Sequence, residues 1–300
     1  MSAPDAAFPG TSFPGASSPD AAQPRLITGK ARLAGVIGWP VAHSRSPRLH
    51  GTWLARHVID GAYVPLPVRP EDFAECVRAL PRMGFAGANV TIPHKEAAVA
   101  MCDRLDVTAE RAGAVNTLVF AEGRITGSNT DGTGFLANLR AHRVDPSRGP
   151  ALVLGAGGAA RAVGAALIEA GARVTLCNRT EGRARDLAAT LGARTIPWNA
   201  RHAALADHAL LVNTTSLGMA GQPPLELDLA RAAPDLAVAD LVYVPLETDL
   251  LAAASARGLV AVEGLGMLLH QAVPGFAAWF GVTPVVDDAL RRIVAADLPG

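Results

Sequence analysis

All but two of the 27 basic side chains are arginine, the exceptions being Lys30 and Lys95. An ammonium can change protonation within a site and a guanidinium effectively cannot, which singles out Lys95 for proton chemistry. It ends the stretch "NVTIPHK", which also carries Asn89 and Thr91. Two more stretches offer matching groups: "VAHSRSP" holds Ser44 and Ser46, and "VNT" followed by "SNTDGTGF" holds Asn116 and Asp131. Hydroxyls and amides joined by one ammonium and one carboxylate suit a polyhydroxylated acid better than an apolar ligand. Each has a plainer reading too: Ser44 and Ser46 as helix caps, Asn89 and Asn116 as turn residues, Asp131 as an N-cap.

A second constellation points to a dinucleotide. "LGAGGAA" sets Gly155, Gly157 and Ala160 in G-x-G-x-x-A spacing between an apolar strand and a helical pattern. There the first glycine permits the turn, the second admits a pyrophosphate to the backbone, and the helix start supplies N–H groups. Roughly 20 residues further on, an NAD site places an acid on the ribose. This chain instead reads "LCNRTEGRAR". Asn178 and Thr180 can donate hydrogen bonds, and Arg179 and Arg183 can pair with a phosphate, so NADP is favoured over NAD. The alternative is a solvated helix start, which the helix dipole disfavours for cations.

The elements that would position these groups alternate as in βαβ architecture. Strands are expected at 33–38, 62–68 and 87–92, with a hairpin over 115–127. Helices are expected at 46–57, with Ser46 as cap and Pro47 in the first position, and around 70–80, 94–101 and 108–112. A helix over 131–142 leads into the compact strand, glycine turn, helix and strand of 151–178, followed by strands at 209–213, 237–243 and 259–262. The segment from about Leu265 reads as mostly helical and able to fold back on the first unit. The spacing thus predicts an α/β chain with two domains: residues 31–130 with 265–300, and a parallel-sheet unit over 131–264.

Composition narrows the class. Half the residues are hydrophobic, enough to fill two cores, and the 27 acidic side chains cancel the 27 basic ones. Bulk charge therefore suggests no nucleic-acid or anionic-membrane partner. Cys76, Cys102 and Cys177 form no disulfide framework or metal spacing, which fits a reducing cytoplasm. The eight histidines include His43, His50 and His57 but no HxxxH or HExxH pair, so no metal is expected. Residues 1–30 read as a flexible leader without a signal-peptide pattern, and no apolar run reaches a membrane span.

In order along residues 33–280, "SRSP", "NVTIPHK", "NTDGTGF", "GAGGAARA", "NRT", "TSLGM" and "GLGMLLHQA" closely resemble the shikimate dehydrogenase family. The resemblance implies a substrate domain built from the N-terminal part and the final helices, beside a Rossmann NADP-binding domain. It also implies reversible NADP-dependent reduction of 3-dehydroshikimate to shikimate, on the route to chorismate and aromatic amino acids. Carried over by motif, Ser44 and Ser46 would bind the substrate carboxylate with Tyr243 nearby. Asn89, Thr91, Asn116, Asp131 and Gln271 would hold its hydroxyls, and Lys95 and Asp131 would form the catalytic pair. Gly155, Gly157, Gly158 and Ala159 would face the pyrophosphate, with Asn178, Arg179, Thr180 and Arg183 at the 2′-phosphate. Thr214, Thr215, Ser216 and Met219 would lie along the cofactor path, and Gly264 and Met267 would approach the nicotinamide.

The residues agree chemically, because hydride addition leaves an alkoxide-like oxygen that needs a proton donor and positive charge. Tyr243 has the alternative of being a strand-end aromatic. Two rival functions stay open in the sequence: a quinate/shikimate dehydrogenase of broader specificity, and a catalytically silent shikimate-binding sensor of the same fold. Monomer and homodimer are equally compatible with the pattern.

Overall fold

A computed structural model describes residues 27–298. The leader expected over 1–30 lies, up to residue 26, outside the described residues; its end is tied down, with Thr28 N donating to Asp60 Oδ1 at 3.1 Å.

The chain runs β1 (Arg32–Gly38), α1 (Ser46–Arg56), β2 (Gly61–Pro67), α2 (Phe73–Ala79), β3 (Phe85–Val90), β4 (Arg104–Leu105), α3 (Val107–Ala112), β5 (Thr117–Ala121) and β6 (Arg124–Ser128). These strands form one mixed sheet ordered β2-β1-β3-β5-β6-β4, parallel from β2 to β3 and antiparallel from β3 through β5 to β6. Next come α4 (Asp131–Ala141), β7 (Pro150–Leu154), α5 (Gly158–Glu169), β8 (Arg173–Cys177), α6 (Glu181–Leu191), β9 (Arg194–Ile196), α7 (Arg201–Ala204), β10 (Leu210–Asn213), β11 (Ala237–Asp240), α8 (Asp249–Ala256) and β12 (Val260–Val262). Their strands make a second, wholly parallel sheet ordered β12-β11-β10-β7-β8-β9. Strand order reverses at β7, which leaves a crevice beyond the carboxyl ends of β7 and β10, where doubly wound sheets bind ligands.

The last helices, α9 (Gly264–Phe280) and α10 (Asp288–Ala295), return to the first sheet. Leu265, Leu269, Phe276 and Trp279 of α9 are buried with Trp53 and Leu49 of α1 in one core. Trp279 also donates from Nε1 to Leu118 O at 2.9 Å. A side chain at Gly87 would place its Cβ 2.0 Å from that nitrogen, so β3 can lie under the indole only without one. Helix α4 joins the two halves by packing on both α9 and α5. Among the described residues, no helix is long and apolar enough to cross a membrane.

Several local expectations change. Residues 97–101 form a 3-10 turn instead of a helix over 94–101. Ser46 is the first residue of α1 and Arg45 its cap position, with no side-chain cap bond. The strand expected over 237–243 ends at Asp240, and the short strands β4 and β9 had no apolar run long enough to be read.

Candidate active site

The carboxyl ends of β1 and β3 and the first turns of α1, α4 and α9 surround a cavity of about 260 Å³. Ser44, Ser46, Asn89, Thr91, Lys95, Asn116, Asp131, Tyr243 and Gln271 all line it. Ala159, Gly264 and Met267, expected on the cofactor path, line the same cavity, so the two predicted constellations meet there.

At its centre Lys95 Nζ lies 2.6 Å from Asp131 Oδ2, with the Lys95 side chain 28% and the Asp131 side chain 12% exposed. Asp131 opens α4 but does not cap it. Its other oxygen, Oδ1, accepts from Asn116 Nδ2 at 2.8 Å, and its N–H donates to Asn129 Oδ1 at 3.1 Å. Both carboxylate oxygens are thereby fixed. The loop carrying Lys95 is held by His94, whose Nε2 faces Val68 O at 2.8 Å and whose ring stacks on Phe73 at 4.5 Å. A carbonyl can only accept, so that nitrogen carries the proton.

The amides are oriented by groups behind them. Asn116 Oδ1 accepts from Thr130 N and from Thr117 Oγ1, both at 2.9 Å, which turns its NH2 toward Asp131. Asn89 Oδ1 accepts from Tyr63 Oη at 2.6 Å, while Asn89 Nδ2 donates to Asn116 O at 3.1 Å. Gln271 Oε1 accepts from Thr130 Oγ1 at 3.3 Å, and its Nε2 donates to Leu268 O at 3.1 Å. No local pattern signals Tyr63, Thr117 or Thr130, because their role depends on register between strands distant in the chain. Behind Tyr63 lies His50, stacked on it at 4.0 Å, with both ring nitrogens buried and without a geometric hydrogen-bond partner among the described residues. Burial pushes its imidazole down to about 3, so it is neutral.

Tyr243 reaches the cavity because β11 stops early. Asp240 accepts from Asn213 Nδ2 at 2.9 Å, Val242 N at 3.1 Å and Thr248 Oγ1 at 2.8 Å, and these bonds turn the chain out of the sheet. Burial pushes this carboxyl up to about 6 against those three donors. Burial also raises the Tyr243 phenol, a shift that the nearby Arg45 charge opposes.

The remaining predicted cofactor residues lie outside this cavity, along the ends of the parallel strands. Gly155 follows β7 at φ +118, and a Cβ there would fall 2.4 Å from Thr214 Oγ1, so the turn requires glycine. Thr214 Oγ1 donates to Leu154 O at 2.7 Å, and Thr215 Oγ1 to Asn213 Oδ1 at 2.7 Å. Ser216 and Met219 follow, exposed, on the same loop. Gly157 is the cap position of α5 and Gly158 its first residue, and at both a Cβ would meet nothing within 4 Å among the described residues. Past β8, Asn178 Nδ2 donates to Thr180 O at 2.9 Å, and Thr180 precedes α6. Arg179 and Arg183 are exposed and have no ion-pair partner among the described residues.

Comparison with known proteins agrees with this geometry. The model of the shikimate dehydrogenase substrate binding domain matches residues 36–118, and that of shikimate / quinate 5-dehydrogenase matches residues 138–219. A shikimate dehydrogenase (NADP(+)) of Acidiphilium cryptum is 77% identical over 275 residues, covering 92% of this chain and 100% of that protein. One from Rhodospirillum rubrum is 62% identical over 279 residues, covering 90% and 99%. The solved shikimate 5-dehydrogenase from Thermus thermophilus, in complex with NADP(H) and shikimate, matches with a TM-score of 0.82 at 40% identity, covering 89% of this chain and 100% of that one. With the ordered motifs, the two sheets and relatives matched over nearly their whole length, the chain belongs to the shikimate dehydrogenase family.

Proposed function

We propose that this chain is an NADP-dependent shikimate dehydrogenase, interconverting 3-dehydroshikimate and shikimate on the route to chorismate and the aromatic amino acids. The observation that carries this reading is the shared cavity: the Lys95–Asp131 pair lies in the same space as Ala159, Gly264 and Met267. Residues 31–130 with 265–298 form the substrate unit and 131–264 the cofactor unit. The enzyme works in the cytoplasm as a monomer or homodimer.

The glycine turn fits a dinucleotide, since Gly157 and Gly158 present backbone to open space at the start of α5. Gly155, Gly157, Gly158 and Ala159 would hold the pyrophosphate, and Asn178, Arg179, Thr180 and Arg183 the 2′-phosphate. Thr214, Thr215, Ser216, Met219, Gly264 and Met267 would line the rest of the path. When bound, NADP(H) supplies or takes the hydride.

The chain's own residues do the rest. Ser44, Ser46 and Tyr243 bind the substrate carboxylate, and Asn89, Thr91, Asn116 and Gln271 hold the ring hydroxyls. In reduction, the carbonyl oxygen becomes negative as its carbon gains hydride. Lys95 meets that oxygen with positive charge and a proton; in oxidation it takes the proton back. Asp131 orients the ammonium through Oδ2 and shares the same hydroxyl.

Initial rates crossing shikimate and quinate with NADP and NAD test the reading. Shikimate with NADP should exceed every other pair by at least about tenfold in kcat/KM, a difference of ~1.4 kcal/mol. Comparable turnover of quinate or NAD would replace the reading with the broader-specificity enzyme, and ligand binding without turnover would replace it with the sensor.

A further inference from the structure

Arg45 lies between the two serines of the cavity mouth and lines the cavity itself. Its guanidinium is also ion-paired to Asp297, beyond the end of α10. Asp297 has a second cation: Arg48 Nη1 and Nη2 reach its two oxygens at 2.6 and 3.3 Å. Two arginines thus share one carboxylate, and the mouth carries an excess positive charge. Elsewhere in the cavity lining, the Lys95 ammonium is already matched by Asp131, whose two oxygens are both engaged.

The Arg45 side chain is 18% exposed, whereas that of Asp297 is 56% exposed. An ion pair with so exposed a partner contributes little, so Arg45 can give it up at small cost. Arg48 can keep Asp297 in place meanwhile. A planar guanidinium also matches a carboxylate through two parallel hydrogen bonds, which an ammonium does not. Across the cavity the Arg45 charge acts on the Tyr243 phenol, so the two groups face the same small volume.

We propose that Arg45 is a substrate-carboxylate residue that exchanges Asp297 for the incoming carboxylate, with Arg48 retaining Asp297. Asp297 is then a built-in competitor that tempers affinity for the acid. The inference rests on the reading of shikimate as substrate.

Calorimetric titration with shikimate and with its neutral methyl ester separates the two questions. The wild type should prefer the acid. Arg45→Gln should weaken shikimate binding about tenfold and leave the ester nearly unchanged, closing the gap between the ligands. Arg45→Lys should recover part of the loss. Asp297→Asn, which frees Arg45, should tighten shikimate binding about twofold to threefold without moving the ester. Equal effects of Arg45→Gln on acid and ester, or none on either, would overturn the proposal. Should Arg45→Gln fail to fold, Asp297→Asn decides alone: unchanged or weakened shikimate binding would overturn it. A wild-type protein that binds neither ligand would instead overturn the substrate assignment, and this inference with it.

Discussion

At the scale of single residues, the site depends on amides that cannot choose their own orientation. Tyr63 Oη holds Asn89 Oδ1 at 2.6 Å, so Tyr63→Phe should let the amide turn. We expect a KM for shikimate raised up to about tenfold and a stability loss of about 1 kcal/mol, read by initial rates and urea unfolding. His50, behind it, makes a prediction about pH. Its buried imidazole stays neutral down to about 3, whereas the unfolded chain protonates it below roughly 6.5. The unfolded state therefore binds the extra proton, and this contribution to stability, full above pH ~6.5, is lost as pH falls, about 2 kcal/mol by pH 5. Asp240 acts oppositely: its raised pKa of about 6 adds stability as pH falls through 6 toward roughly 4. His50→Leu should lose less stability than the wild type between pH 7 and pH 5; parallel losses would show that His50 is not titrating in this way. Lys95 could be read in the sequence because lysine is scarce there, and Asp131 and the serines because they sit in recognisable motifs. Tyr63 and His50 could not, since nothing in an aromatic or a lone histidine reveals what lies behind it.

At the scale of elements, the closeness of α4 to α9 links the two halves of the cavity. A Cβ at Gly134 would stand 2.5 Å from Gln271 Cβ and 2.7 Å from Gln271 N, and one at Gly266 would stand 2.0 Å from Asn138 Oδ1. Gly134→Ala must push the helices apart, shifting Gln271 away from Thr130 and Asn116. We expect a destabilisation of about 1–3 kcal/mol in urea unfolding, with a raised KM for shikimate. Most elements were legible from the alternation of apolar runs with helical patterns. Where the reading failed, a buried polar group overrode the pattern: "AVADLVY" reads as one apolar strand, yet the three donors on Asp240 end it and send Tyr243 into the cavity. Likewise Ser46 begins α1 without capping it and lines the cavity instead.

At the scale of the whole molecule, the two sheets bring Ala159, just past the glycine turn, and the Lys95–Asp131 ion pair from distant parts of the chain to one cavity. The two-domain α/β plan followed from strand and helix alternation, but the depth of contact between halves did not, because the return of α9 buries faces that no local pattern pairs. Cofactor binding should show in global stability. NADP at about 100 times its Kd should add about 2.7 kcal/mol, raising Tm by about 5 °C. NAD at equal concentration should give less than half that shift, and Arg183→Ala should bring the two shifts together; equal wild-type shifts would remove the role of the basic corner. The central claim is that Lys95, held by Asp131, serves the reacting oxygen. It is tested most directly by kcat for NADP-linked shikimate oxidation in Lys95→Met, measured beside the shikimate Kd. A kcat lower by about 10²–10⁴-fold with Kd within about tenfold is the predicted result. A kcat within about threefold of wild type, less than ~1 kcal/mol in the barrier, would contradict it.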